Sequence, residues 1–477
     1  MEPLKLLWPG GEPVGRPSHP VRAYWAALSG RRQVGALLGL AGLAVGWAWG
    51  APALGLAVFA ICWWTAEPFS VEYSSLLILL LIPTFGLLTV QQAFNPFAGS
   101  AVWLIFAGMV LSLGITATGL EARLAGLALR HLGRSPGTLL FQLHVLGLAT
   151  AFLVPSGVVR VLLLIPIGMA VVDGLGGRED RDLNAAVLLS LLCSTYYGGT
   201  GLLTGAVPNL VVAGQLERVS GRVLYWGEWL RWMFPVMGLL RTGMCLGVIY
   251  LLFGRRLSKT LHTGPLLAPQ PLDPAQRKVL ALLLLGVALW SSDALHHLAP
   301  MYVGLLLIAL YTLPGWGPLP FAQLRQLNFP FLFYIAALFS LGSALETSGF
   351  DRRFISATSG WLQLDGQGPV YQHLALTGMG VPLNFLMDNA AVASLLTPPL
   401  LELGRSLGLA ELPVALSVGM AVGQVFFPYQ CAPFMLVYSY RRLGMGQLVL
   451  CMVCIAVLTL LLLCPLNVLY WRWLGLI

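Results

Sequence analysis

Apolar runs of about twenty residues, the length a helix needs to cross the hydrocarbon core of a bilayer, follow one another through most of this 477-residue chain. They cover 34–50, 52–65, 73–90, 101–118, 183–216, 229–253, 279–290, 301–313, 329–345, 412–440 and 448–470. Hydrocarbon offers backbone amides no water, so each run must satisfy its own hydrogen bonds, and a helix does this within one segment. Only 10% of the residues are charged, too few to coat a water-soluble protein of this size, where about 25% is usual. These features predict an all-α, polytopic membrane protein with about eleven crossing helices.

The net charge of +8 fits basic loops on the cytoplasmic side. No polybasic run with interleaved aromatics appears, so no nucleic-acid partner is expected. Arg22, Arg31 and Arg32 place the N-terminus in the cytoplasm. Counting crossings then puts Arg130, Arg134, Arg178, Arg181, Arg255, Arg256, Lys278, Arg325, Arg441 and Arg442 on that side, with Arg352 and Arg353 as exceptions. The Pro- and Gly-rich stretch 1–33 reads as a cytoplasmic tail without a signal peptide. The polar segment 254–278 reads as a linker between a first half, 34–253, and a second, 279–477. Residues 119–134 alternate apolar and arginine positions at helical spacing, which predicts an interfacial helix.

Little else suggests chemistry. Seven cysteines lie scattered in or beside apolar runs. Cys451 and Cys454 form a CxxC that reads as two small apolar side chains on one helix face. His144, His373, His296 and His297 lack metal-ligand spacing, and neither HExxH nor GxSxG occurs. No metal, cofactor or catalytic residue is expected, and the chain is not read as an enzyme. Trp226, Trp229, Trp232, Tyr470, Trp471 and Trp473 read as an interfacial aromatic belt.

Two apolar stretches are broken in the middle. "AFLVPSGVVRVLLLIPIG" (151–168) aligns with "NFLMDNAAVASLLTPPLL" (384–401): Phe152 falls on Phe385, Leu153 on Leu386, Ser156 on Asn389 and Pro166 on Pro399. Each is followed by an apolar run interrupted by Gly, Pro and small polar residues, "GGTGLLTGAVPN" (198–209) and "FFPYQCAP" (426–433). An odd number of crossings between them predicts that the two broken stretches enter from opposite faces. They would be re-entrant helical hairpins of an inverted repeat, the build of secondary transporters. Non-helical backbone at membrane depth persists only where protein or a watery cavity satisfies it.

These residues resemble the divalent-anion:sodium symporters of the ion transporter superfamily, over 101–212 and 329–440. That family carries Ser-Asn-Thr at each hairpin tip. Here the tips read Ser156-Gly157-Val158 and Asn389-Ala390-Ala391, and Pro155 to Arg160 fits a dicarboxylate-translocator variant. The resemblance implies a secondary active transporter of a small di- or tricarboxylate or oxyanion, with H+ or Na+ as coupling ion or working by exchange. It also implies a homodimer and an elevator-like mechanism. Asp388-Asn389 is similar to cation/proton antiporters of the same superfamily, the alternative reading.

Ser156, Gly157, Arg160, Thr200, Thr204, Asn209, Asn389 and Gln430 are the candidate substrate-binding residues, and Asp388, Asn389 and Ser156 the candidate ion-coupling residues. Gln424 lies farther off and is not counted. Arg160, one turn below its tip, either meets a carboxylate or sulfate group or pairs with a backbone carbonyl or Asp173. Asp388 either carries a proton, binds a cation or caps its helix.

Overall fold

A computed structural model describes Trp25 and residues 28–120, 123, 135–175, 177–257, 271–350, 353 and 362–477. Most of the expected tail, interfacial helix and linker, and Arg352, lie outside the described residues. Those described are helical, with no β-strand among them. In chain order the helices of eight residues or more are α1 Gly30–Ala48, α2 Pro52–Ala66, α3 Val71–Thr84, α4 Ser100–Thr118, α5 Pro136–Leu153, α6 Gly157–Gly174, α7 Arg181–Tyr197, α8 Val207–Ser220, α9 Trp226–Leu252, α10 Pro274–Ser291, α11 Pro300–Tyr311, α12 Phe331–Thr347, α13 Pro369–Gly380, α14 Asn389–Ser406, α15 Glu411–Val422, α16 Ala432–Ser439 and α17 Met445–Trp473. Five of them, α4, α5, α6, α9 and α17, are long and apolar enough to cross a membrane.

The chain divides into two compact units. The first comprises Met1–Phe94 and Pro330–Phe350. Its α1 and α2 touch backbone to backbone: a Cβ on Gly46 would lie 2.4 Å from the Cα of Gly55. The indole of Trp64 donates to Ser75 Oγ of α3 at 3.0 Å, and its ring meets Tyr334 of α12 edge-on.

The second unit, Asn95–Phe329 with Asp351–Ile477, holds both broken stretches. Each becomes two helical arms joined by a short tip, and both arms pack on the helix that follows. In the first hairpin, α5 runs parallel to α7, with Gly147 against Ser194 and Thr150 facing Thr195 at 3.4 Å. The second arm, α6, runs back along α7, with Gly168 against Leu188 and Gly177 against Leu183. Both ends of the hairpin therefore lie at the start of α7, and the tip lies at its far end. The second hairpin repeats this on α15: His373 and Gly380 of α13 meet Ser417 and Ala421, and Gly404 of α14 meets Val414. Both hairpins are re-entrant.

The repeats are also inverted. The loop after α16 and the first turn of α17 reach the end of α6 and the start of α7, where Arg442 binds Asp173 at 2.9 Å and Gln447 donates to the Arg181 carbonyl at 3.2 Å. Reciprocally, Arg405 beside the start of α15 donates to the Val219 carbonyl near the end of α8 at 3.2 Å. Between these ends α8 packs on α14 and α16 packs on α6, so each repeat completes the other.

Two helix caps set the hairpin register. Ser156 caps α6, accepting from the Val159 amide at 3.4 Å. Asp388 caps α14, accepting from the amides of Ala390 and Ala391 at 2.7 and 2.9 Å. Both helices are 18 residues long, so Ser156 corresponds to Asp388 and Pro166 to Pro398. The sequence alignment, which placed Ser156 on Asn389 and Pro166 on Pro399, is one residue out. A carboxylate and a hydroxyl both cap, and the Pro398-Pro399 pair tolerates either register.

Some of the arginines expected on one face lie together. Arg178, Arg181, Arg441 and Arg442 line a single cleft of about 1000 Å³, and Arg256 reaches Asp182 at 3.4 Å beside it. The Arg442–Asp173 pair is largely solvated at its acidic end, so Arg442→Ala should cost under about 1 kcal/mol. Thermal unfolding of the purified protein checks this.

Candidate functional site

Two interruptions of equal length, 198–206 and 423–431, split the helices that carry the hairpins. Both resume with proline in the first helical turn, Pro208 and Pro433, where the missing N–H costs nothing. Within the breaks short 3-10 turns satisfy part of the backbone, and side chains take up much of the rest.

In the first break Asn209 donates to the carbonyls of Thr200 and Leu202 at 3.0 and 2.8 Å. Thr200 Oγ1 donates to the Tyr197 carbonyl at 2.7 Å. Gly199 and Gly205 fold onto each other so closely that a Cβ on Gly205 would lie 2.0 Å from the Gly199 carbonyl oxygen. In the second break Gln430 accepts from the amides of Phe426 and Phe427 at 2.6 and 2.8 Å, and donates to the Asn384 carbonyl. Asn209 and Gln430 therefore do equivalent work: each replaces lost helix bonds.

The tips meet the breaks. Gly157 lies against Pro433, in the first turn of α16 just past the second break, and Tyr196 at the end of α7. Asn389, at the other tip, donates to Tyr196 Oη at 3.3 Å. Tyr196 is thus common ground for both repeats. The buried Asn389 Oδ1 has no hydrogen-bond partner, leaving an acceptor in the centre. Because Asp388 Oδ1 is engaged as a cap, Asp388→Asn should cost only a few tenths of a kcal/mol and Asp388→Ala about 1 kcal/mol. Paired unfolding midpoints read this difference.

Two arginines dominate the electrostatics. Arg160 is fully buried. Its terminal nitrogens donate to the Val154 carbonyl at the first tip and the Gly205 carbonyl in the first break, both at 2.6 Å. Of the readings open for Arg160, the backbone carbonyl is realised and Asp173 is not, since Asp173 pairs with Arg442. Arg241 was not singled out from the sequence, although an arginine inside the run 229–253 is itself a signal. It too is buried. It donates to Thr200 Oγ1 at 3.4 Å in the first break, and to the Gly423 carbonyl and Gln424 Oε1, both at 3.0 Å, in the second. Its guanidinium stacks on Tyr197, 4.3 Å from the ring centroid. Gln424, set aside in the sequence, thus belongs to the centre.

The tryptophans correct another expectation. Trp226, Trp229 and Trp232 are buried and do not form a belt. The Trp226 indole donates to Thr204 Oγ1 at 3.1 Å and the Trp229 indole to the Thr200 carbonyl at 3.2 Å, so α9 clamps the first break. Trp471 is buried likewise, donating to the Trp232 carbonyl at 2.8 Å, while Trp473 is exposed.

All the candidate residues, Ser156, Gly157, Arg160, Thr200, Thr204, Asn209, Asp388, Asn389 and Gln430, lie in the tips and breaks of this unit or in the first turn of the helices that leave them. The helices α6, α8, α14 and α16 begin there, and helix N-termini favour negative charge. Two guanidiniums add to that field. Asp388 is the one carboxylate in the sequence of the tips and breaks.

Paired re-entrant hairpins with two antiparallel broken helices define a membrane transporter. The sodium:sulfate symporter transmembrane region family matches residues 48–477. The chain belongs to that family, the divalent-anion:sodium symporters, and is a multi-pass secondary transporter of anions, not an enzyme. Similar proteins include an uncharacterized transporter of Haemophilus influenzae (25% identity; 85% of this chain, 89% of that one). Another is the sodium-dependent dicarboxylate transporter SdcS of Staphylococcus saprophyticus (21%; 83% and 81%). A third is the L-tartrate/succinate antiporter of Escherichia coli (24%; 75% and 77%). The fold is similar to the crystal structure of the Alcanivorax borkumensis YdaH transporter, with a TM-score of 0.54 and 17% identity over 81% of this chain and 88% of that one.

Proposed function

We propose that this protein exchanges small dianions, a dicarboxylate or an oxyanion such as sulfate, across the cell membrane. One observation carries the reading: Arg160 and Arg241 are both buried, and every ion pair among the described residues lies elsewhere. A desolvated charge without a counter-ion is costly, and a bound anion supplies the missing charge. Ser156, Gly157 and Asn389 at the tips face the anion. Thr200, Thr204, Asn209 and Gln430 hold the breaks that shape its seat.

Exchange is favoured over cation symport by the same residues. Unwound carbonyls in transporters of this build commonly coordinate the coupling cation. Here the Val154 and Gly205 carbonyls are held by Arg160, which is itself a cation. SdcS is named sodium-dependent and the Escherichia coli relative an antiporter, and this geometry sides with the second. Ser156, Asp388 and Asn389 are the residues whose oxygens would meet a cation if one is carried.

Alternating access follows an elevator-like course. Because α8 packs on α14 and α16 on α6, the hairpins and broken helices interlock and move as one body. That body slides against a scaffold within a homodimer in the membrane, with the N-terminus cytoplasmic as the arginine placement indicates. Counterflow of labelled succinate and sulfate in proteoliposomes tests the reading. Uptake driven by internal anion in the absence of sodium supports it. Uptake that requires sodium replaces exchange with symport. Cation-driven pH change without any anion movement would return the cation/proton antiporter.

A further inference from the structure

Arg241 carries an inference that the hairpin motifs do not. It stands at the end of a π-helical turn, Phe234–Leu240, a distortion that shifts the phase of α9 and is frequent at functional positions. That turn touches the first break directly: a Cβ on Gly201 would lie 2.6 Å from the Cα of Gly238. From there the guanidinium spans both breaks, bonded to Thr200 on one and to Gly423 and Gln424 on the other. Its Nε has no partner.

Arg160 reaches the same short segment. Its Nη2 would lie 2.8 Å from a Cβ on Gly199, and Thr200, the next residue, bonds Arg241. Two guanidiniums therefore reach Gly199-Thr200. Arg160 serves one repeat, binding its own tip and break. Of the two arginines, Arg241 is the one that joins both breaks. All its partners are neutral, so its full charge acts at the place where the half-sites meet.

We propose that Arg241 is the residue that sets the charge of the cargo: its position across both breaks supplies the second positive charge that makes the site select dianions over monoanions. The inference rests on the anion-exchange reading and deepens it. Arg241 acts through the field and through the alignment of the two breaks, as a positioning residue.

The experiment compares uptake of succinate and of monomethyl succinate by the full chain in proteoliposomes, as a ratio. Arg241→Gln should lower the dianion-to-monoanion ratio by about tenfold or more, the scale of one unit charge at roughly 8 Å in an effective dielectric near 20. Arg241→Lys keeps the charge while losing the stacked, three-way bonding, so it should slow transport of both substrates and leave the ratio near that of the parent. Gln424→Glu is close in shape and sets a carboxylate where Oε1 now lies 3.0 Å from the guanidinium. It should lower the ratio as Arg241→Gln does, and it keeps the test decisive if Arg241→Gln fails to fold. An unchanged ratio in Gln424→Glu, or equal shifts in the Gln and Lys variants, would overturn the proposal. A parent protein that moves neither anion would instead defeat the exchange reading, and this inference with it.

Discussion

Gly205→Ala should abolish transport and destabilise the protein by about 3 kcal/mol, the upper range for a methyl forced into a packed site. The new Cβ would lie 2.0 Å from the Gly199 carbonyl oxygen and 2.8 Å from its carbon. Both are backbone atoms of a break already pinned by Asn209 and Trp229, so no flexible side chain can yield. The displaced segment also carries the carbonyl that Arg160 holds. Gly243→Ala is the control, since a Cβ there meets nothing within 4 Å. It should leave uptake intact and stability unchanged or slightly raised. Melting curves and anion counterflow on both variants check the pair, and a Gly205→Ala protein that melts and transports like the parent would contradict the description of the break.

Arg160→Ala should unfold more readily, by about 4 kcal/mol. The Val154 and Gly205 carbonyls each lose a buried donor, at about 1–3 kcal/mol apiece, and one of the largest fully buried side chains leaves a cavity. Removal of a costly buried charge offsets part of this. The other reading of the sequence, a direct contact with a carboxylate or sulfate group, would instead make Arg160→Ala a binding defect, because an arginine one turn below a tip looks free to meet a ligand. Its actual partners differ in kind: one lies six residues back and the other 45 residues on. Arg160→Lys should recover part of the stability, since one ammonium can reach a single carbonyl well. Urea or thermal midpoints that match the parent in Arg160→Ala would refute the stapling role.

The breaks were legible because proline and glycine punctuate helices whatever surrounds them. That is why 151–168 and 384–401 emerged as hairpins and 198–209 as an interrupted helix. The inverted arrangement followed from counting spans, an argument about parity that tolerates errors at helix ends. The register of the repeat did not follow, because caps depend on which oxygen reaches an amide. Asp388 and Asn389 are adjacent and both able to cap. Long-range partnership was hidden altogether. Arg241 bonds residues 41, 182 and 183 positions away, and the π turn ahead of it defeats a projection at 3.6 residues per turn. Trp226 and Trp229 misled for a related reason. An indole near a run's end suits the interface, but a buried indole N–H equally suits a break that needs donors.

The central claim is that one anion seat is assembled from the tips and breaks of both repeats, where the first tip meets the start of α16. With the seven native cysteines replaced, Gly157→Cys and Pro433→Cys should test it most directly, because a Cβ on Gly157 lies 3.3 Å from Pro433 Cγ. Mild oxidation should join the pair within one chain, stop anion counterflow, and be reversed by reductant. A pair that never crosslinks in the folded protein, or a crosslinked protein that exchanges anions at the uncrosslinked rate, would contradict the account.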